Sequence, residues 1–138
     1  MTALRIGFCT LGLTLCLGGC ADSTGRVGGI DRTTVRGPSG ERLTLVKPEN
    51  IHLKRGKAES VMVHLRRDNF SERVRVSVTQ LPSGVEAVDE PRSTNSDRVE
   101  VVLRAGSDAD RVQNHQALVT AEGPDGIRAT ETLEISVQ

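Results

Sequence analysis

Two neighbouring stretches decide the fold: residues 59–67, ESVMVHLRR, and residues 72–80, ERVRVSVTQ. In both, apolar side chains occupy every second position, with mostly polar or charged side chains between them. Residues two apart lie on the same face of a β-strand, so each stretch is typical of a strand with one apolar face and one wet face. An amphipathic helix would instead repeat its apolar residues at intervals of three and four.

The same alternation recurs along the rest of the chain, between turn sequences such as LPSG at 81–84 and GPDG at 123–126. Gly, Pro, Asp and Ser are the residues that chain reversals require. We predict about seven strands and no helix after residue 20. Short strands with one apolar face each predict an all-β fold, either a two-sheet sandwich or, as the alternative, a small barrel. The strand ranges, which number eight when both strands of the final hairpin are counted, are 43–46, 50–54, 59–67, 72–80, 85–89 and 98–104, followed by a hairpin of 115–122 and 127–137.

The predicted core consists of about twenty aliphatic side chains, mostly Val, with Phe70 as its one large ring. We expect Phe70 to be the most valuable single side chain of that core, because an aromatic ring buries a large apolar area. On that expectation, Phe70→Ala lowers the free energy of unfolding by about 3–5 kcal/mol.

Residues 67–85 resemble a bacterial immunoglobulin-like domain. The matching residues are R-x-x-F at 67–70, an alternating strand at 74–78 and L-P-x-G-V at 81–85. The resemblance covers roughly residues 43–138 and implies a seven-stranded immunoglobulin-like or fibronectin-III-like β-sandwich. This chain has Asn114-His115 where such domains usually place Gly and Tyr, so the resemblance does not imply a tyrosine-corner hydrogen bond. Domains of this kind serve many functions, and the resemblance concerns the fold.

The N-terminus has the pattern of an export signal. Arg5 is followed by an apolar run over residues 6–17 and then by small residues. A charged start, an apolar stretch of about 7–15 residues and a small-residue exit are typical of a secretory signal peptide. The run is too short to cross a hydrocarbon core, which needs about 20 helical residues. The exit resembles the lipobox of bacterial lipoproteins: Leu17-Gly18-Gly19-Cys20.

The lipobox resemblance implies cleavage between Gly19 and Cys20, a diacylglycerol on the Cys20 thiol, and an acyl chain such as palmitate on the new amino group. Cys9 and Cys16 would leave with the signal peptide, so the mature chain would hold neither a disulfide nor a thiolate metal site. Ala21 implies the outer membrane, since Asp at that position often signals inner-membrane retention in this family. The alternative is an ordinary secreted protein cut near Gly19 or Ala21.

These features divide the chain into three parts: a lipoprotein signal peptide (1–19), a lipid-anchored flexible tether (20–42) and the sandwich domain (43–138). Residues 21–40 are rich in Gly, Ser, Thr and charge and show neither the strand nor the helix period, which is typical of a spacer. A flexible spacer of this length has a root-mean-square reach of about 25 Å, enough to hold a domain just clear of a lipid surface.

The composition excludes several classes of binding protein. The chain has 138 residues, with 18 Lys and Arg against 18 Asp and Glu, so its charge does not favour nucleic acid as a partner. There is no Trp or Tyr, and there are two Phe. Platforms that stack sugars or bases need exposed aromatic rings, so a carbohydrate-binding domain is the least favoured alternative.

We predict no metal or cofactor site. His52 and His64 fall on the polar faces of their strands, so we expect both in solvent, and no His-x-His spacing brings ligands together. The acidic residues at 89–90 (DE) and 108–110 (DAD) leave calcium binding between loops as an alternative. The usual explanation of such residues is that they cap turns.

We predict no catalytic residue either. The serines at 39 and 83 lie in Pro-Ser-Gly turn sequences rather than in a nucleophile elbow, and the Gly28-Gly29 pair lacks the Lys-Ser/Thr of a phosphate loop. The pattern therefore favours a binding or structural role over an enzyme.

Charge is uneven along the chain. Residues 41–75 hold nine Lys and Arg against five acidic residues, and residues 76–138 hold five Arg against eleven. Lys54, Arg55 and Lys57 form a basic turn at one end of the domain, which favours phosphate-bearing lipids or an acidic partner. The alternative is a solvated turn that keeps strand edges from pairing with other molecules.

The sequence thus predicts a non-enzymatic, lipid-anchored protein of the bacterial cell envelope that presents an immunoglobulin-like domain to a partner. We expect contact with the membrane through acyl chains on Cys20, and contact with an envelope protein through loops or by strand addition at an exposed edge. Strand addition depends on backbone hydrogen bonds and so needs few aromatic residues. A calcium-dependent adhesion module is the alternative function from another class.

Overall fold

The computed structural model describes residues 31–88 and 91–138, which form two five-stranded sheets. The strands of the first sheet are β1 (Arg32–Arg36), β2 (Arg42–Val46), β4 (Ala58–Asp68), β6 (Val85–Val88) and β8 (Arg98–Ala105). The strands of the second sheet are β3 (Ile51–Leu53), β5 (Val74–Thr79), β7 (Arg92–Thr94), β9 (Val112–Glu122) and β10 (Arg128–Val137).

The order of the strands defines the fold. The first sheet has the order β1-β2-β4-β8-β6 and the second β3-β10-β9-β5-β7. Among the described strands every pairing is antiparallel except that of β3 with β10. The set β2-β4-β8-β6 facing β10-β9-β5 has the A-B-E-D and G-F-C orders of an immunoglobulin-like sandwich. The predicted all-β sandwich is confirmed.

The core lies between the two sheets and is aliphatic, as the period-two pattern predicts. Each inward position contributes about 1.5–3 kcal/mol when it is buried completely, so the apolar face of each strand decides which way the strand turns. The largest fully buried side chains are Leu43, Leu45, Leu53, Leu103, Leu133, Ile135, Val63, Val74, Val76, Val119 and Val137.

The chain changes sheets between β2 and β3. β2 pairs with β4 as far as Leu45 opposite Leu65, after which residues 47–50 cross to the second sheet, where β3 pairs with β10. Buried Pro48 lies in this crossing. Proline has no N–H to give to a strand ladder, so it suits a break between two strand halves. Among the residues that the structure describes, this crossing leaves part of β4 without a neighbouring strand on that side.

β1 begins earlier than the predicted domain boundary at residue 43. It lies inside the predicted tether of 20–42, yet it pairs with β2 from Arg32 opposite Val46 to Arg36 opposite Arg42. Thr33 Oγ1 donates a hydrogen bond of 2.6 Å to Glu131 Oε1 of β10. The tether prediction is therefore wrong at these residues, because an edge strand with no fully buried side chain shows no apolar alternation. The predicted signal peptide and Cys20 lie outside the described residues.

β7 is the other strand that the sequence pattern did not predict, and it is a three-residue edge strand of the second sheet. The predicted final hairpin is confirmed as β9 and β10, which are joined through a 3-10 turn at Pro124–Gly126. No helix among residues 31–88 and 91–138 is long and apolar enough to cross a membrane.

Phe70 does not occupy the centre of the core. It follows the end of β4, is partly buried and packs against the rim of the core, with its Cζ 3.6 Å from where a Cβ on Gly123 would lie. The expectation that Phe70 is the key core residue is wrong. It lies in the connection between β4 and β5, where its ring covers one end of the sandwich instead of entering the layer between the sheets.

Candidate functional site

The candidate site is the open edge of β4, at the point where β2 leaves the first sheet. β8 pairs with β4 along residues 58–64, and β2 pairs only with residues 65–68. Residues 58–64 therefore have no ladder partner, among the described residues, on the side away from β8. An unpaired strand edge presents a row of backbone donors and acceptors that another chain can use.

The direction of these backbone groups follows from two hydrogen bonds. Ala105 N donates to Lys57 O at 3.0 Å, and Leu65 N donates to Asp97 O at 2.8 Å, so residues 57 and 65 face β8. Successive residues of a strand direct their backbone groups to opposite sides. The N–H and C=O groups of Ala58, Ser60 and Met62 therefore point to the open side of β4.

A groove runs along this edge. It has a volume of about 610 Å³ and is walled by β4 on one side and by the crossing of residues 47–50 on the other. Ser60 and Met62 lie along its floor, and Met62 is the one exposed large apolar side chain among the described residues, at 44% exposure. An exposed apolar side chain beside unpaired backbone groups is typical of a peptide-binding edge.

The rim of the groove is acidic. Lys47 Nζ lies 3.9 Å from both Asp31 Oδ2 and Glu134 Oε1, and Asn50 Nδ2 donates to Glu134 Oε2 at 3.0 Å. Glu49, also on the rim, is exposed. Lys47 is thus shared between two carboxylates, and the groove carries an excess of negative charge. This arrangement favours an extended segment that brings a Lys or Arg side chain.

The three histidines do not come together. His52 on β3 and His64 on β4 are exposed on the opposite outer faces of the sandwich, so the prediction that both meet solvent is confirmed. His115 on β9 is half-buried, and its Nε2 lies 2.7 Å from the backbone oxygen of Gln80. In residues 31–88 and 91–138 no group of three or more His, Cys, Asp or Glu is placed to hold a metal ion.

The acidic residues considered for calcium are only partly described. Asp108 and Asp110 are exposed in the connection between β8 and β9. Asp110 N donates to Ser83 O at 3.2 Å, so this connection is held to the turn before β6. Residues 89–90, the other acidic pair, lie outside the described residues. Calcium binding stays a prediction.

The predicted basic turn is found at one end of the domain, between β3 and β4. Lys54, Arg55 and Lys57 are all exposed, and Lys57 N donates to Lys54 O at 3.0 Å to close the turn. Gly56 N donates to Ala105 O at 2.9 Å and holds the turn against the end of β8. None of these three basic residues lines the groove, although Lys57 directly precedes the open edge of residues 58–64.

Sequence reasoning missed the groove residues of β4. The alternation around Met62 predicts the strand correctly but contains nothing about which neighbour each part of the strand has. The one local signal was Pro48, which separates two short apolar stretches at 43–46 and 50–54. A proline between two strand halves favours a change of sheet, and such a change leaves an unpaired edge.

Comparison with known proteins adds little to this geometry. No family model matches the chain, and no curated protein matches it. Among solved structures, the chain is similar to a chimeric titin Z1Z2 functionalized with a KLER exogenous peptide from decorin. The two are 15% identical, with a TM-score of 0.41, over 80% of this chain and 98% of that one. A likeness at this level concerns the fold alone.

Proposed function

We propose that this chain is a lipid-anchored, non-enzymatic protein of the bacterial cell envelope whose sandwich binds an extended segment of a partner protein. The bound segment adds to the first sheet as a strand beside residues 58–64 of β4. The anchor is the acylated Cys20 of the lipobox-like sequence, and the proposed location is the outer membrane. The observation that carries the binding role is the open, groove-lined edge of β4.

The backbone supplies the affinity in this mode. Ala58, Ser60 and Met62 each offer an outward N–H and C=O, which together match a partner strand of about five to seven residues. Such a partner needs no aromatic contact, and this is consistent with a sequence that lacks Trp and Tyr.

The groove supplies the specificity. Met62 offers an apolar contact to alternate side chains of the added strand, and the acidic rim at Asp31 and Glu49 favours a Lys or Arg in it. Charges at the rim of a binding site mainly set selectivity and association rate. We therefore expect the partner segment to be extended, to carry a basic residue and to lack an aromatic side chain that anchors it in the groove.

Photo-crosslinking in the native cell tests the binding role. A photoreactive amino acid replaces Met62 in one strain and Thr79, exposed on the outer face of the second sheet, in another. We expect position 62 to crosslink to an extended, basic segment of one envelope protein, identified by mass spectrometry of the joined peptides. Equal crosslinking of that segment from position 79 would contradict the proposal.

A proline substitution separates backbone pairing from side-chain contact. Ser60→Pro removes an N–H that points to the open side, leaves the ladder to β8 intact and is placed where sheets tolerate proline. We expect Ser60→Pro to reduce crosslinking from position 62 about tenfold, since it removes a central backbone bond. The matched control, Ser60→Ala, keeps the N–H and should crosslink as the parent does. If both variants crosslink equally, strand addition is excluded.

The anchor is tested independently. Labelling cells with radioactive palmitate should mark the parent chain and leave the Cys20→Ser variant unlabelled. An unlabelled parent would disprove the anchor without bearing on the open edge of β4, because no groove residue takes part in acylation.

A further inference from the structure

The outer face of the first sheet is basic where β1, β2, β4 and β8 pair. Six arginines point outward from these four strands, because the positions beside them along the strands are buried or half-buried. Arg104, near the end of β8, forms an ion pair with Glu86 of β6. The other five are here called the arginine face. Four of the five are exposed and the other is half-buried. They are Arg32, Arg36, Arg42, Arg66 and Arg98.

The strand register places like charges side by side in this face. Arg36 lies directly opposite Arg42. Like charges directly opposite each other in a sheet are destabilising, so this arrangement does not serve the stability of the fold. A negatively charged ligand over the face would remove the repulsion.

Few counter-charges are available on the protein itself. Asp68 lies opposite Arg42 and forms an ion pair of 3.3 Å with Arg66, and Glu100 lies on the same face beyond Arg98. Within residues 31–88 and 91–138, the other four arginines of the arginine face make no ion pair. The face therefore carries a net positive charge that is open to solvent.

The opposite side of the sandwich has a different character. The outer face of the second sheet is uncharged at its centre, where Ser77 and Thr79 of β5 lie beside Thr120 and Leu118 of β9. At the end of that face, exposed Arg75 lies opposite Glu122, and Glu122 forms an ion pair with Arg128. Among the described residues, the outer face of the first sheet thus carries a net positive charge, whereas Arg75 and Arg128 on the other face are balanced by Glu122 and Glu134. This difference favours contact of the first sheet with an anionic surface.

The position of the arginine face relative to Cys20 favours a membrane as the anionic surface. Arg32 is the first residue of β1, and Cys20 precedes it by twelve positions. Twelve residues span at most about 43 Å even when fully extended, so a lipid anchor at Cys20 keeps Arg32 within that distance of the bilayer. We infer that the arginine face binds the anionic phosphate headgroups of the membrane that holds the anchor, an inference that rests on the anchor of the proposed function for its lipid source.

Vesicle binding without the anchor tests this inference. The chain used is residues 20–138 with Cys20→Ser, which contains every described residue and the whole buried core. It is mixed with vesicles of equimolar phosphatidylglycerol and phosphatidylcholine, and in parallel with vesicles of phosphatidylcholine alone. We expect binding to the anionic vesicles only, and a loss of that binding at high salt, where exposed charges are screened.

Two triple variants of equal charge separate this face from net charge. Arg32→Gln, Arg36→Gln and Arg42→Gln together should weaken binding to the anionic vesicles by about tenfold or more. The matched control replaces three exposed arginines elsewhere, Arg73, Arg75 and Arg111, and should keep most of the binding. Circular dichroism of both variants verifies that the sandwich is retained.

Three outcomes would overturn the inference. One is equal weakening by the two triple variants, which would mean that only net charge matters. Another is equal binding to the uncharged and the anionic vesicles. The third is binding to poly-glutamate without binding to anionic vesicles, which would assign the face to an acidic protein. All three leave the groove and the acylation of Cys20 untouched, so they are distinguishable from a failure of the proposed function.

Discussion

Gly84 lies so close to Ala109 that a Cβ placed on the glycine would come within 2.6 Å of the Ala109 Cα. Gly84 also has a φ of +77°, a conformation that side-chain-bearing residues rarely adopt. Gly106 N donates to Gly84 O at 2.8 Å, so the turn before β6 is held against the connection between β8 and β9. The glycine of the L-P-x-G-V motif is therefore required for two separate reasons.

Gly84→Ala should lower the free energy of unfolding by about 2–4 kcal/mol. The left-handed conformation accounts for about 1–2 kcal/mol of this loss, and the collision with Ala109 accounts for the rest. Urea denaturation monitored by circular dichroism measures the change. Gly56→Ala is the matched control, since Gly56 has a φ of +72° and nothing within 4 Å of its Cβ position. Equal losses for the two variants would show that the close approach to Ala109 has no energetic consequence.

Phe70→Ala should cost about 1–2 kcal/mol, because the ring is only partly buried and full burial is what makes aromatic truncations expensive. Leu103→Ala is the comparison: Leu103 is completely buried, so its loss should cost about 2–5 kcal/mol. The same denaturation experiment ranks the two. A larger loss for Phe70→Ala than for Leu103→Ala would mean that the ring belongs to the core after all.

The sequence predicted well the strands that bury one face. Val74, Val76 and Val78 are buried, whereas Arg75 is exposed and Ser77 is half-buried. This is the arrangement that the period-two pattern indicates. Such a prediction succeeds because the residues of a half-buried strand alternate between apolar and polar, and this alternation shows which face of the strand is buried. The prediction for Phe70 was wrong because hydrophobicity indicates a preference for burial. It does not indicate that the residue lies beyond the end of a strand.

Edge strands and pairing partners were beyond the sequence pattern. β1 and β7 have no fully buried side chain, so neither shows an apolar alternation. The open edge of β4 depends on the path of residues 47–50, which is a tertiary property. His115 gives a third case: its ring contacts the backbone oxygen of Gln80, a partner 35 residues away that no local motif indicates.

Arg67→Met should lower the free energy of unfolding by about 1.5–3 kcal/mol, the range for a hydrogen-bonded charged group. The Arg67 side chain is 11% exposed, and its Nη2 donates to Asp97 Oδ1 at 2.9 Å and to the Asn95 backbone oxygen. Methionine keeps the apolar stem and removes the donors. We expect hydrogen exchange to rise at residues 95–97 before it rises elsewhere. Arg66→Met is the control, because Arg66 is 74% exposed, and it should change stability by less than about 1 kcal/mol.

Amide hydrogen exchange of β1 tests whether residues 32–36 are a strand or a tether. Lys47 N donates to Asp31 O and Gly37 N donates to Glu41 O, so the odd-numbered residues of β1 face β2. The amides of Thr33 and Val35 are therefore bonded to β2, whereas those of Thr34 and Arg36 point away from β2 at the edge of the sheet. We expect exchange at Thr33 and Val35 to be slower than at Thr34 and Arg36 by about tenfold or more, measured by NMR. In a flexible tether the exchange rates of successive amides would not alternate. Uniformly fast exchange over residues 32–36 would therefore place the start of the domain at residue 43, as the sequence pattern predicts. It would also mean that Arg32 and Arg36 belong to no fixed surface.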